Sequence, residues 1–332
     1  MESLWICLMA LRIITKKRIL VTGATGQLGS ELTMALRLKY KGENVIAAGH
    51  HRQPNTELTQ TGPFISLDVR DQSALIKVVK DYQIDSIFHL ASLLSAVAEQ
   101  APQKAWDINM NGLLNVLETA RLMHCAVFFP SSIGAFGPQT PAINTPQDTI
   151  QRPNTIYGVT KVAGELLCDY YQQRFAVDTR GLRYPGLISY KTPAGGGTTD
   201  YAVEIFYAAL QKQSYQCFLK PDTQLDMMYM PDAINAAISL MQVDAKQLLH
   251  HNAFNVTAMS ITPEQLAQEI KKHIPSFRIS YQVDPVRQAI ADSWPKQMDD
   301  SCAAKEWGWQ PEYTLSAMVA DMLEKLRLKL SE

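Results

Sequence analysis

The chain has 332 residues, with 31 Lys and Arg against 32 Asp and Glu for a formal net charge of −1, and 46% of it is hydrophobic. An even charge without single-sign blocks excludes the clustered cationic footprint that nucleic acid or an anionic membrane surface needs. At roughly 100–200 residues per domain the length accommodates two lobes, and 17 Gly with 17 Pro is too little for a fibrous or disordered chain.

The chain opens on an apolar run, Leu4 to Leu11, followed by Arg12, Lys16, Lys17 and Arg18. A signal peptide would carry its positive charges first, and a spanning helix needs about 20 apolar residues. Residues 1–16 therefore read as an N-terminal extension of no assigned role. From Lys17 onward, strand-length apolar runs alternate with stretches of helical period, the pattern of a parallel sheet covered by helices. The candidate strands are Arg18 to Val21, Asn44 to Ala48, Pro63 to Leu67, Ser86 to Leu90, Val127 to Pro130 and Asp178 to Leu182. The candidate helices are Glu31 to Lys39, Gln72 to Asp81, Trp106 to Leu122 and Tyr157 to Phe175. The expected fold is α/β: a Rossmann-type doubly wound parallel sheet over residues 17–183, with a smaller α/β substrate-binding lobe over 184–332 that interleaves with it and contains the glycine-rich run Gly195-Gly196-Gly197.

Directly after the first strand comes Thr22-Gly23-Ala24-Thr25-Gly26-Gln27-Leu28-Gly29. Glycines at this spacing before a helix let backbone N–H groups and the helix N-terminus approach a pyrophosphate. Asp68 and Val69 follow the third strand, where a carboxylate can accept from an adenine amino group or merely cap the next helix. The second strand lacks the terminal acid that takes the ribose hydroxyls of NAD. It runs instead into Gly49-His50-His51-Arg52, either a site for the 2′-phosphate of NADP or a solvated loop.

The catalytic pattern is Tyr157-Gly158-Val159-Thr160-Lys161, with Ser131 and Ser132 upstream at a strand end. Tyr and Lys four apart share a helix face, so the ammonium is expected to lower the phenol toward use as a general base. The five cysteines and seven histidines show no ligand spacing, and the adjacent pairs His50-His51 and His250-His251 diverge in helix or strand geometry. No metal is expected, which leaves the chemistry to the Tyr, Ser and Lys set with a cofactor.

Together these residues resemble the extended short-chain dehydrogenase/reductases, the family of NAD-dependent epimerases and dehydratases, from Lys17 to near the end. Leu93 to Ala96, Pro130 to Pro138, Arg183-Tyr184-Pro185-Gly186, Gly195 to Ala202 and Ser293-Trp294-Pro295 are most similar to the zinc-independent L-threonine 3-dehydrogenases. The resemblance implies metal-independent oxidation of the C3 hydroxyl of L-threonine to 2-amino-3-oxobutanoate, in a cytoplasmic homodimer paired through the helices Trp106 to Leu122 and Tyr157 to Phe175. It assigns Tyr157 as base, Ser132 as the hydroxyl on the reacting oxygen, and Lys161 to the nicotinamide ribose. Leu90, Ala91, Ser92, Asn109, Tyr184, Pro185 and Gly186 join the cofactor site, and Ser95, Ser131, Thr198, Thr199 and Trp294 the substrate pocket. NAD is the expected cofactor, with discrimination against NADP weakened by the missing acid.

Two other readings stay open on this fold. A sugar-nucleotide epimerase or reductase needs a long groove and basic residues for a diphosphate. A non-catalytic redox sensor needs the glycine cradle but no proton acceptor.

Overall fold

In a parallel sheet covered on both faces, strands must be apolar on both sides, and β1 (Ile19–Thr22) and β2 (Val45–Gly49) are buried at every position. The computed structural model describes residues 17–192 and 197–331. The N-terminal extension 1–16 and the loop residues Gly195 and Gly196 lie outside the described residues. Between and after these strands come α1 (Gln27–Tyr40), α2 (Thr56–Gln60), β3 (Phe64–Ser66), α3 (Gln72–Asp81), β4 (Ser86–His89), α4 (Ser95–Gln100) and α5 (Pro102–Trp106).

A π turn, Asp107–Asn111, joins α5 to α6 (Gly112–Met123), where the sequence reading has one continuous helix from Trp106. The first half closes with β5 (Ala126–Ser132), α7 (Ile156–Phe175) and β6 (Thr179–Tyr184). The second half holds β7 (Gly186–Ile188), α8 (Tyr201–Gln211), β8 (Ser214–Cys217), β9 (Leu225–Tyr229), α9 (Met230–Leu240), β10 (Phe254–Asn255) and β11 (Met259–Ile261). It ends with α10 (Pro263–His273), β12 (Arg278–Tyr281), α11 (Pro285–Asp292), α12 (Ser301–Trp307) and α13 (Leu315–Ser331).

The main sheet is parallel throughout and ordered β3-β2-β1-β4-β5-β6-β10. Successive side chains leave opposite faces of a strand. Thus Leu20 packs with Leu75, Val116 and Phe129 on one face, and Ile19 and Val21 with Leu32, Ala236 and Phe254 on the other. Each such fully buried aliphatic side chain stabilises by about 1.5–3 kcal/mol. The six expected strands are present with shifted ends. The seventh, β10, returns from the second half, so the sheet is completed by residues beyond the expected boundary at 183.

A second core lies under α8, α10 and α13, beside the sheet β11-β9-β7. Because β6 and β7 are separated by Pro185 alone, the two sheets meet at the Tyr184–Gly186 corner. The order reverses between β1 and β4, and the crevice beyond their carboxyl ends is where such folds bind ligands.

Candidate active site

That crevice opens into a cavity of about 530 Å³, running from the glycine turn to Trp294. At one end Gly23 has φ +69°, and a Cβ there would lie 2.6 Å from Ala91 N and from the Leu90 carbonyl carbon. A Cβ on Gly29 would lie 2.2 Å from Gly23 O, so turn and helix close on each other only without side chains. Gly26 caps α1 with no side-chain acceptor, which leaves the N–H groups at the start of α1 available to an anion. Thr25, Gln27, Leu28, Leu90, Ala91 and Ser92 line the same stretch. These features fit the pyrophosphate of a dinucleotide.

At the adenosine end, β2 stops at Gly49, and His50, His51 and Arg52 line the cavity with Asp68 and Val69. The Asp68 carboxylate is engaged by Arg70, whose Nε and Nη2 donate to it at 2.7–3.2 Å, while Nη1 donates to Asp107 at 2.9 Å. Hydrogen bonds from Arg70 hold Asp68 down to about 2. His50 Nε2 lies 3.6 Å from the same carboxylate. Contrary to the divergence expected for adjacent histidines, the His50 and His51 rings meet edge to face at 4.0 Å, because they lie in a bend after the strand rather than inside it.

At the other end, Thr155 caps α7 by accepting from Gly158 N, which brings Tyr157 into the first turn beside Ser132 at the end of β5. A Cβ on Gly134 would crowd the Tyr157 ring at 3.2 Å. The Tyr157 phenol is hydrogen-bonded with the Ser132 side chain, and Ser132 Oγ accepts from Gly134 N at 3.1 Å. One turn on, Lys161 Nζ donates to Pro130 O at 2.7 Å and lies 5.4 Å from the centroid of the Tyr157 ring. Burial dominates both groups, pushing Tyr157 up to about 12 against the Ser132 hydrogen bond. It lowers Lys161 to about 8, although the Glu165 carboxylate favours the ammonium. The expected lowering of the phenol by Lys161 is therefore corrected: the ammonium is directed at a backbone carbonyl and is itself desolvated.

Two assignments change in kind. Asn109 does not line the cavity. From the π turn it accepts from Leu93 N at 2.8 Å and donates to Thr160 Oγ1 at 3.2 Å, so it fastens the Ser92–Leu93 loop to α7. Ser131 borders the cavity, but its hydroxyl donates to the buried Glu165 carboxylate, which also takes a fork from Arg183 at 2.8–3.2 Å. Arg183 Nη1 donates in turn to Gln147 O at 2.7 Å. Neither Glu165 nor Arg183 carries a site role in the sequence, where Arg183 stands out only as the first residue of Arg183-Tyr184-Pro185-Gly186. Glu165 does continue the stripe Tyr157, Lys161 at the same four-residue step, which is the signal that points to it.

The remaining candidates come together. Ser95 at the start of α4, Tyr184, Pro185, Gly186, Thr198, Thr199 and Trp294 all border the cavity. Thr198 is 2% exposed, and its hydroxyl has no hydrogen-bond partner. Trp294 follows α11, in a segment held where Met298 N donates to the buried Asp226 at 2.5 Å.

Residues 19–256 match the model of the NAD dependent epimerase/dehydratase family. A protein of Staphylococcus saprophyticus, described as an uncharacterized epimerase/dehydratase, is 51% identical over 94% of this chain and 98% of its own. Among solved structures, L-threonine dehydrogenase from Clostridium difficile gives a TM-score of 0.93 at 56% identity, over 95% of this chain and 98% of that one. A metagenomic L-threonine 3-dehydrogenase described as monomeric gives 0.90 at 43%, over 95% and 100%. Given a family match across the main sheet and a half-identical relative along nearly the whole chain, the protein belongs to the NAD-dependent epimerase/dehydratase family among the extended short-chain dehydrogenase/reductases and is a nicotinamide-dinucleotide-dependent oxidoreductase.

Proposed function

We propose that this chain is an L-threonine 3-dehydrogenase that forms 2-amino-3-oxobutanoate with NAD. The observation that carries the reading is the convergence of Ser132, Tyr157 and Lys161 at one end of the cavity, facing Thr198 and Trp294. The likeness to solved L-threonine dehydrogenases supports the choice of substrate.

In this reading Ser132 and Tyr157 take the C3 hydroxyl between them, and Tyr157 accepts its proton as the C3–H bond breaks. The cofactor, when bound, supplies the hydride acceptor. Lys161 serves the nicotinamide ribose, and Ser132, hydrogen-bonded with the phenol, favours the phenolate that Tyr157 must form. The orphan Thr198 hydroxyl and the backbone N–H groups of Thr198 and Thr199 are polar groups suited to the substrate carboxylate, while the Gly197 N–H is held by Asp200. Trp294 walls the pocket on the remaining side and excludes water.

The adenosine end supports NAD over NADP. Arg52 and Arg70 are the guanidiniums there, and Arg70 is already neutralised by Asp68 and Asp107. That leaves little positive charge for a 2′-phosphate, while no carboxylate closes β2 to repel one.

A cytoplasmic homodimer completes the reading, since Leu114 and Leu122 on α6 and Leu166, Tyr170 and Phe175 on α7 present exposed apolar surface. Light scattering at micromolar concentration tests the pairing, and a monomer would remove it. No helix among the described residues is long and apolar enough to cross a membrane. For the activity, the purified chain is assayed for L-threonine-dependent reduction of NAD by absorbance. Turnover supports the assignment, and no turnover alongside tight dinucleotide binding would overturn it.

A further inference from the structure

Away from the cavity, three residues that the sequence separates widely are brought together: His250 before β10, and Cys302 and Glu306 on one face of α12. Their ligating atoms all lie within 4.8 Å of one another, and none of the three lines the cavity. The sequence reading finds no metal constellation because the spacing of these residues is long range.

The arrangement is built rather than accidental in its surroundings. Glu306 Oε2 accepts from Leu249 N at 2.7 Å and His250 N at 3.0 Å, which fixes the carboxylate with Oε1 facing His250 Nδ1 at 2.5 Å. The other ring nitrogen, Nε2, lies 3.3 Å from Asp148 Oδ2, and the ring stands edge-on to Phe254 at 5.9 Å. An imidazole with one nitrogen bonded to a carboxylate and the other directed at a ligand cluster is the usual support of a metal-binding histidine. Cys302, four residues before Glu306, adds a partly exposed free thiol.

We propose that His250 Nδ1, Cys302 Sγ and Glu306 Oε1 form a binding site for a zinc-type divalent transition metal, with Asp148 orienting the imidazole and the fourth position open to solvent. Nitrogen, thiolate and carboxylate donors suit zinc, and its bond lengths of about 2.0–2.3 Å place tetrahedral ligands roughly 3.3–3.6 Å apart. To reach this, His250 Nδ1 and Glu306 Oε1 open from 2.5 Å by roughly 1 Å, and Cys302 Sγ closes by about 1 Å at most. The ion replaces the proton between Nδ1 and Glu306 and the thiol proton of Cys302, both released to solvent. Bound there, it ties the segment before β10 to α12 at the edge of the main sheet, a stabilising role separate from turnover.

Titration of the metal-free full chain with Co²⁺ reads the site directly. We expect one equivalent bound with a thiolate-to-cobalt charge-transfer band, loss of that band in Cys302→Ser, and an affinity lowered about 10–100-fold in Asp148→Asn. Glu306→Gln keeps an oxygen for the two backbone N–H groups and removes the charge, and should weaken binding at least tenfold even if Cys302→Ser folds poorly. Zn²⁺ should raise the melting temperature of the wild type and, at the same concentration, raise that of Glu306→Gln distinctly less. Absence of the band, or the same band and affinity in Cys302→Ser and Glu306→Gln, would overturn the assignment.

Discussion

Burial pushes the Tyr157 phenol up to about 12 and lowers the Lys161 ammonium to about 8, and this inversion sets a testable pH profile. The productive form is a phenolate beside an ammonium. Below about pH 8 the ammonium is intact and the phenolate fraction rises tenfold per pH unit. Above it Lys161 discharges as fast as Tyr157 ionises, and the productive form levels off. At pH 7 that form is on the order of 10⁻⁵ of the enzyme, and its plateau on the order of 10⁻⁴.

Measured as kcat/KM for L-threonine at saturating NAD, from about pH 6 to about pH 10, log rate should climb with unit slope and break near Lys161's value. Tyr157→Phe should lower kcat/KM by about 10²–10⁴ and abolish the climb, with cofactor affinity little changed. Lys161→Ala should damage both turnover and cofactor binding and remove the break. A flat wild-type profile, or a Tyr157→Phe enzyme within tenfold of wild type that keeps the slope, would show that the base lies elsewhere.

Gly29→Ala places a Cβ against Gly23 O, so dinucleotide binding followed by calorimetry should disappear, and retained affinity would contradict the cradle. Arg52→Ala should leave NAD-dependent turnover nearly intact and lower any NADP-dependent rate by about fivefold, the effect of roughly 1 kcal/mol from an exposed charge; an NADP preference above about a hundredfold in the wild type would reverse that weighting. Glu165→Gln removes the countercharge paired with the buried Arg183, leaving it neutral acceptors such as Gln147 O and Asn255 Oδ1, and should cost about 3 kcal/mol in denaturant unfolding, whereas an unchanged midpoint would show that the pair is dispensable. Chelation by EDTA should leave L-threonine turnover intact, and zinc-restored activity would move the chemistry away from Tyr157.

Much of this arrangement was legible in the chain because its signals are local. The glycine turn, the Tyr157–Lys161 step and the first six strands each depend on neighbours within one element. What escaped depends on distance or brevity. Phe254–Asn255 is too short to show a period, and Glu165 meets Arg183 only because α7 packs on β6. Ser131 illustrates a different gap: adjacent residues on a strand face opposite ways, so only one of Ser131 and Ser132 can reach the reacting centre, and the alternation alone does not say which. His250 and Glu306 stand on segments that meet only in the finished fold.

The π turn at Asp107–Asn111 makes this region intolerant of changes in chain length. Its wider ring accommodates one residue more than an α turn does, and Asn109 reaches Leu93 and Thr160 from within it. Deleting a single residue there would close the wider turn into α geometry with α5 and α6 still in phase, whereas a deletion in the α turns on either side would swing α5 about 100° around the axis relative to α6. Asn109 would be carried off its partners, and the Ser92–Leu93 wall of the cofactor cleft would be cut loose from the helix that carries Tyr157. In this stretch a substitution is a local event, but the loss of one residue removes the turn that aims Asn109.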